Sequence, residues 1–136
     1  MEHAVRVLFD RYQSVASNAL AGEMDLETAA DLYAAEFIAA APAGVMAGKN
    51  DPEFLQTLAR GFAHYRGIGT RQMQIREIKL SQIDQHHCVA HIGWTAVYER
   101  TGLARTAIEF EVHYLIQVMQ GVAKVFGWIS GTNSTS

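Results

Sequence analysis

The stretch that decides the fold of this chain is CVAHIGWTAVY, residues 88–98. Apolar or aromatic side chains occupy every second position of it, namely Cys88, Ala90, Ile92, Trp94, Ala96 and Tyr98. A period of two residues places alternate side chains on opposite faces of a strand. The stretch therefore predicts a β-strand with one apolar face turned to a core and one mixed face turned away from it.

The same period continues on both sides of this stretch. Four runs, at about 71–83, 88–100, 105–118 and 122–130, read as strands, and because no helix interrupts them they predict an antiparallel meander. In the first run the apolar positions change from odd, at Met73 and Ile75, to even, at Ile78 and Leu80. That change of parity predicts a β-bulge near residues 76–77 that curves the sheet.

Helical spacing dominates the chain before residue 70. An apolar stripe with i, i+3, i+4 spacing runs from Val5 to Leu20, and Gly22 can end that helix. Asp25 is a plausible N-cap for a second helix, whose predicted face is Leu26, Ala29, Ala30, Tyr33 and Phe37. A third helix is expected from Asp51 and Pro52 to about 67–69. The predicted fold is α+β, with three N-terminal helices packed on a strongly curved antiparallel β-sheet.

Strand register predicts which side chains face away from the helices. The apolar sets of the second and third strands are both even-numbered, so residue 92 should lie opposite 112 or 114. A two-residue turn at 120–121 would pair Met119 with Val122 and place Ala123, Val125, Gly127 and Ile129 inward. Phe126 and Trp128 would then point outward beside Leu115, with His91, Glu109, Glu111 and His113 on the same face. An exposed aromatic patch of this kind predicts a homodimer.

Composition excludes several classes of protein. The formal net charge is −3 and the basic residues are scattered, so a nucleic-acid partner is not expected. No apolar run is long enough to cross a bilayer and the N-terminus does not resemble a signal peptide, so we expect a cytoplasmic protein without a membrane partner. The single Cys88 is expected to be a small buried hydrophobe. We predict one domain over residues 1–130 and a frayed tail at 131–136.

Histidines raise the question of a metal site. His86 and His87 point to opposite sides of a strand, and His91 lies too far along it from His87 for one ion to bind all three. His91 and His113 would be direct cross-strand neighbours, with Glu111 on the same face. Hydrogen bonding at a surface or interface is favoured over metal binding, and no metal or cofactor is predicted.

Three segments carry a resemblance to a known superfamily. DLYAAEF at 31–37, AHIGWTAVYERTG at 90–102 and EFEVHYLIQVMQGVAKV at 109–125 resemble the nuclear-transport-factor-2-like superfamily, which includes ketosteroid isomerase and the SnoaL-like cyclases. The resemblance implies a cystatin-like cone, a pocket between helices and sheet, and pairing through the sheet. In isomerase-type members an acidic residue before a proline is the catalytic base, whereas here Ala41 precedes Pro42. Members of that type also use a first-helix tyrosine, here Tyr12, as an oxyanion donor.

The predicted site is a pocket for a small apolar or aromatic molecule. Its expected lining combines aromatic rings with a few polar tips, from Tyr12, Tyr33, Phe37, Phe62, Trp94, Tyr98, Phe110 and Tyr114. Isomerase or cyclase chemistry would have to proceed without the usual base and depend on Tyr12. The alternative is a non-catalytic dimerisation or accessory module in which these rings only fill a core.

Overall fold

Three helices and six strands make up the fold. The protein is described by a computed structural model covering residues 1–100, 102 and 104–131. The elements in chain order are α1 (Glu2–Leu20), α2 (Leu26–Asp31), β1 (Tyr33–Ala41), β2 (Gly44–Lys49), α3 (Pro52–Gly67), β3 (Thr70–Gln82), β4 (His87–Tyr98), β5 (Thr106–Met119) and β6 (Val122–Ser130). Asp25 and Asp51 cap α2 and α3 by accepting hydrogen bonds from the backbone amides of Thr28 and Phe54.

All six strands belong to one sheet with the order β2-β1-β6-β5-β4-β3. The meander from β3 to β6 is antiparallel, as predicted. The expectation of a wholly antiparallel sheet is wrong, because β1 pairs in parallel with β6. The fold is α+β with a mixed sheet.

The predicted register is confirmed along most of the meander. Ile92 lies opposite Val112, and Met119 pairs with Val122. Both turn residues between β5 and β6 have positive φ, 53° at Gln120 and 77° at Gly121, as a tight two-residue hairpin requires. The bulge in β3 also lies at the predicted place, because the register with β4 shifts between Ile75 and Glu77. Because of this bulge, the apolar side chains before and after the charged pair at 76–77 face the same side of the sheet.

The prediction of three consecutive N-terminal helices is wrong. α2 ends at Asp31, and the segment expected to continue it forms β1 and, after a turn at residues 42–43, β2. The spacing of Tyr33 and Phe37 fits a helix, but the backbone of this segment instead pairs with β6 on one side and β2 on the other. Long-range pairing thus overrides a local pattern. The Phe37 ring packs over Gly48 on β2, where a Cβ atom would collide with it.

Trp128 does not point outward, contrary to the expectation from the hairpin. Leu115 pairs with Gly127 and Ile116 pairs with Val125, so Phe126 is an extra residue in β6. This second bulge reverses the parity beyond it. Phe126 lies outward with its ring beside His87, whereas the Trp128 ring packs inward against aromatic rings of β1 and α3. Gly127 correspondingly lies under Leu115 on the outer face, and Ile129 is exposed.

The core lies between α1 and the inner face of the sheet. Val5, Leu8 and Phe9 of α1 are buried against the even-numbered residues of β4 and β5, and Cys88 is buried among them as expected. α3 differs from α1 because it has no fully buried residue. Among the described residues, no helix is both long and apolar enough to cross a bilayer. Residues 132–136 of the predicted frayed tail lie outside the described residues.

Candidate functional site

A cavity of about 260 Å³ lies between the three helices and the inner face of the sheet. Because α3 covers the sheet without burying a side chain completely, space remains beneath it. The lining residues are apolar, aromatic or hydroxylated: Tyr12, Val15, Ala16, Met24, Ala29, Leu32, Tyr33, Thr57, Leu58, Gly61, Phe62, Tyr65, Met73, Trp94, Phe110, Tyr114 and Trp128. The cavity is therefore apolar with a few polar groups, which is typical of small-molecule sites.

Three phenols and one indole in the cavity wall form two hydrogen-bonded pairs. The Tyr33 hydroxyl donates to the Tyr12 oxygen at 3.1 Å, and Trp94 Nε1 donates to the Tyr114 oxygen at 3.1 Å. The Tyr12 and Tyr114 rings join the two pairs by an edge contact, with ring centroids 5.5 Å apart. A phenol has one proton to donate and two lone pairs that can accept. Because the Tyr12 oxygen accepts from Tyr33, the Tyr12 proton can be donated to a molecule in the cavity.

Burial keeps these phenols protonated. It raises the pKa of Tyr12 above the ordinary value of 10.0, and the hydrogen bond donated by Tyr33 opposes the increase only in part. Burial also raises the pKa values of Tyr33 and Tyr114 well above 10.0, and interaction with Tyr12 raises them further. At neutral pH the network is a neutral set of hydrogen-bond donors.

Six of the eight residues predicted for the pocket line the cavity: Tyr12, Tyr33, Phe62, Trp94, Phe110 and Tyr114. Phe37 and Tyr98 do not. Phe37 lies behind Trp128, with their ring centroids 5.0 Å apart, and Tyr98 lies at the end of β4 between Thr70 and Thr106. Trp128 is the lining residue that the sequence assigned to the wrong face, because the bulge at Phe126 leaves no trace in the alternation of side chains.

Acid–base groups are absent from the cavity lining among the described residues. No Asp, Glu, His, Lys or Arg lines it. Ala41, the residue that the sequence resemblance matched with the base of isomerase-type proteins, lines a separate groove with Trp128 and Ser130. The cavity can therefore bind and orient a neutral molecule through Tyr12, but it offers no carboxylate or imidazole to accept a proton.

The outer face of the sheet has the opposite character. His91 and His113 lie directly opposite each other with ring centroids 4.5 Å apart, and His91 Nε2 is 3.3 Å from a Glu111 carboxylate oxygen. The Arg76 guanidinium lies across Gly93, 3.8 Å from the carboxylates of Glu109 and Glu111. Within the described residues, no group of three or more His, Cys, Asp or Glu is placed to hold a metal ion.

Comparison with known proteins confirms the resemblance seen in the sequence. Residues 2–133 match the family model described as NTF2-like protein (DUF6841). No curated protein matches the chain in sequence.

Solved structures match the fold over almost the whole chain. An NTF2-like protein with a cystatin-like fold from Novosphingobium aromaticivorans has a TM-score of 0.75 at 11% identity, covering 99% of this chain and 83% of that one. A ketosteroid isomerase-like protein from Erwinia carotovora atroseptica has a TM-score of 0.65 at 12% identity, with coverages of 95% and 93%. A putative scytalone dehydratase from N. aromaticivorans has a TM-score of 0.67 at 11% identity, with coverages of 94% and 80%. At these identities the likeness establishes the fold and not an activity.

Proposed function

We propose that this chain, which belongs to the NTF2-like family DUF6841, binds a compact, uncharged cyclic compound in its phenol-lined cavity. The observation that carries the proposal is the hydroxyl of Tyr12, which lines the cavity and whose oxygen accepts from Tyr33, so that its own proton can be donated to a ligand. A filled core would have no need of such a donor facing an open space of about 260 Å³.

The size of the cavity limits the ligand. An apolar cavity of about 150 Å³ is large enough to bind benzene, so about 260 Å³ suits one substituted ring or two fused rings. The absence of charged lining residues among those described disfavours an ionised ligand, whose desolvation would be uncompensated. A neutral ring compound with one hydrogen-bond acceptor, such as a carbonyl oxygen, matches both properties.

Any reaction in this cavity would depend on hydrogen-bond donation rather than on proton abstraction by a side chain. Tyr12 could stabilise negative charge developing on a carbonyl oxygen, with Tyr33 stabilising the Tyr12 oxygen in turn. Nothing in the lining replaces the missing base. Binding is accordingly the function we propose, and we expect the purified protein to have no robust ketosteroid isomerase activity.

A matched pair of ligands tests the proposal. 1-Tetralone and tetralin have the same two fused rings, but only the ketone has a hydrogen-bond acceptor. We expect calorimetric titration to show that tetralone binds about fivefold more tightly, because one additional hydrogen bond contributes about 1 kcal/mol. Tyr12→Phe should remove this preference while tetralin binds as before.

Tyr98→Phe is the matched control, since Tyr98 does not line the cavity. It should leave the affinity of both compounds unchanged. Failure of both bicyclic compounds to bind would refute the proposal, and so would a preference for tetralone that survives in Tyr12→Phe.

Self-association through the outer sheet face is the protein partnership we propose. Leu115 and Phe126 provide an apolar centre, and Arg76 with Glu109 and Glu111 provides both signs of charge on the same face. In a two-fold symmetric dimer the same surface of each chain faces its copy on the partner. Because this surface has both signs of charge, a basic group of one chain can pair with an acidic group of the other in both directions. Trp128, which faces the cavity, is not part of the proposed interface.

A further inference from the structure

Trp128 separates the cavity from an open groove on its other side. The groove has a volume of about 410 Å³ and lies between the β1–β2 hairpin and the start of α3. Trp128 and Thr57 line both the cavity and the groove, so the two spaces meet at these two residues. Thr57 is exposed and Trp128 is half-buried, which leaves the boundary thin.

The boundary consists of aromatic rings in edge and tilted contacts. Trp128 packs against Tyr33, Phe37 and Phe54 with ring centroids 5.7, 5.0 and 6.5 Å away. Tyr33 continues this cluster to Tyr12 through its hydroxyl. The donor that faces the cavity and the rings that face the groove thus belong to one connected set of aromatic side chains.

The groove itself is apolar along its floor. Phe37, Ala39, Met46 and Phe54 line it, and Met46 is 72% exposed. Three charged residues also line it: the Asp51 carboxylate accepts a hydrogen bond from the Phe54 amide at 2.8 Å, and Lys49 and Glu53 are exposed to solvent. The apolar side chains of the groove favour a hydrocarbon segment over a charged one.

We propose that the natural ligand is elongated, with a ring and its acceptor in the cavity and an apolar chain that passes Trp128 into the groove. This inference rests on the proposed function, since the ring must first be held by Tyr12. It follows from the position of Trp128 and Thr57, which line both spaces and form the thin boundary between them. Trp128 then determines specificity, because its ring decides how thick a chain can leave the cavity.

A series of 4-alkylacetophenones measures binding in the cavity and binding in the groove separately. Acetophenone probes the cavity alone, and the 4-methyl, 4-butyl and 4-octyl compounds extend toward the groove. We expect the Kd to fall about fourfold for each methylene that is fully buried in the groove, and then to level off when the groove is filled. Isothermal titration calorimetry gives the values.

Met46→Glu places a charge in the groove without touching the cavity lining. It should weaken binding of the octyl compound at least tenfold and change binding of acetophenone less than twofold. Ile83→Glu is the matched control, because Ile83 is 66% exposed and lies in neither space. This variant should bind the whole series like the wild-type protein.

The outcomes distinguish this inference from the proposed function. If acetophenone binds but the gain with chain length is equal in Met46→Glu, the ligand does not use the groove and the inference is wrong while the proposed function stands. A change in oligomeric state of Met46→Glu, with an unaltered chain-length series, would show that a second copy covers the groove and would equally overturn the inference. If no member of the series binds, both proposals fail.

Discussion

The two faces of the sheet from β3 to β6 are made by the same strands and have opposite chemistry. The buried side chains of the inner face are apolar apart from Thr70 and the hydrogen-bonded pair of Trp94 and Tyr114. The outer face has histidines, glutamates and an arginine in loose ion pairs. The inner face contributes the stability of the single chain, because it removes apolar area from water within one chain. The outer face does not, so it can accept polar substitutions without loss of that stability.

The alkaline limit of stability should come from the inner face and is the largest effect we expect. Tyr12, Tyr33 and Tyr114 have raised pKa values when folded, so the folded protein holds protons that the unfolded chain loses above pH 10.0. Their contribution is complete below that pH. It is lost as pH rises further, by at most about 4 kcal/mol per pH unit while all three stay protonated in the folded protein.

Urea unfolding at a series of pH values from 9 to 12 measures this slope. Tyr33→Phe should reduce it by about a third, because one late-titrating group is removed. An unfolding free energy that is independent of pH up to pH 12 would contradict the described burial of these phenols.

Truncation of an inner-face side chain should have the next largest effect. Ile92 is completely buried between α1 and the sheet, so Ile92→Ala is expected to lower the unfolding free energy by about 2 to 5 kcal/mol. Lys79→Ala, on the neighbouring strand and the outer face, should change it by about 1 kcal/mol or less. Chemical denaturation decides the matter, and equal costs for the two variants would remove the contrast between the faces.

The outer face should show its importance only in association. Phe126→Glu places a charge at the centre of the proposed dimer interface and is expected to weaken dimerisation by about 2 kcal/mol or more, close to thirtyfold. Light scattering across a dilution series measures the monomer fraction. Val7→Glu, an equally drastic change at an exposed site on α1, should leave association intact. A wild-type protein that is monomeric at micromolar concentration would refute the interface.

The smallest expected effect concerns a charge cluster outside both faces. Asp31 accepts hydrogen bonds from Lys124 and Arg11, each at 2.8 Å, and these lower the pKa of its carboxyl group from 3.8 to about 2. A lowered folded pKa stabilises the protein above pH 3.8, and the gain disappears as pH falls from 3.8 toward 2. Because these side chains are largely exposed, the contribution is at most about 1 kcal/mol. Asp31→Asn should therefore be less stable than wild type at pH 6 and equal to it at pH 2.

The sequence predicts one bulge and not the other, for a physical reason. The charged pair Arg76 and Glu77 interrupts an apolar alternation, so the change of parity in β3 is visible in the residue types. Around Phe126 the neighbours at 125 and 128–129 are all apolar, so either register looks equally good. The face of Trp128, and with it one wall of the cavity, could not be read from the pattern.

The β1–β2 hairpin escaped prediction because its stability is not local. Alanine, which has high helix propensity, is its commonest residue, with seven of the 17 positions from 33 to 49. Pairing of β1 with the distant strand β6 is what fixes the segment as strands. Tyr12, Trp94 and Tyr114 were predictable as cavity residues, since α1, β4 and β5 each have a strong period of their own. Their hydrogen-bond order was not, since it depends on how three separate elements approach one another.

Because of the bulge at Phe126, β6 contains one residue more than its pairing with β5 uses. Deleting Phe126 would restore the uninterrupted pleat, while Gly127 would still pair with Leu115 and Trp128 with Tyr114. One further residue inserted between Gly127 and Trp128 would instead move the indole opposite His113 and turn it from the cavity to the outer face. Lineages that keep this cavity should therefore tolerate the loss of the bulged residue better than an insertion after Gly127.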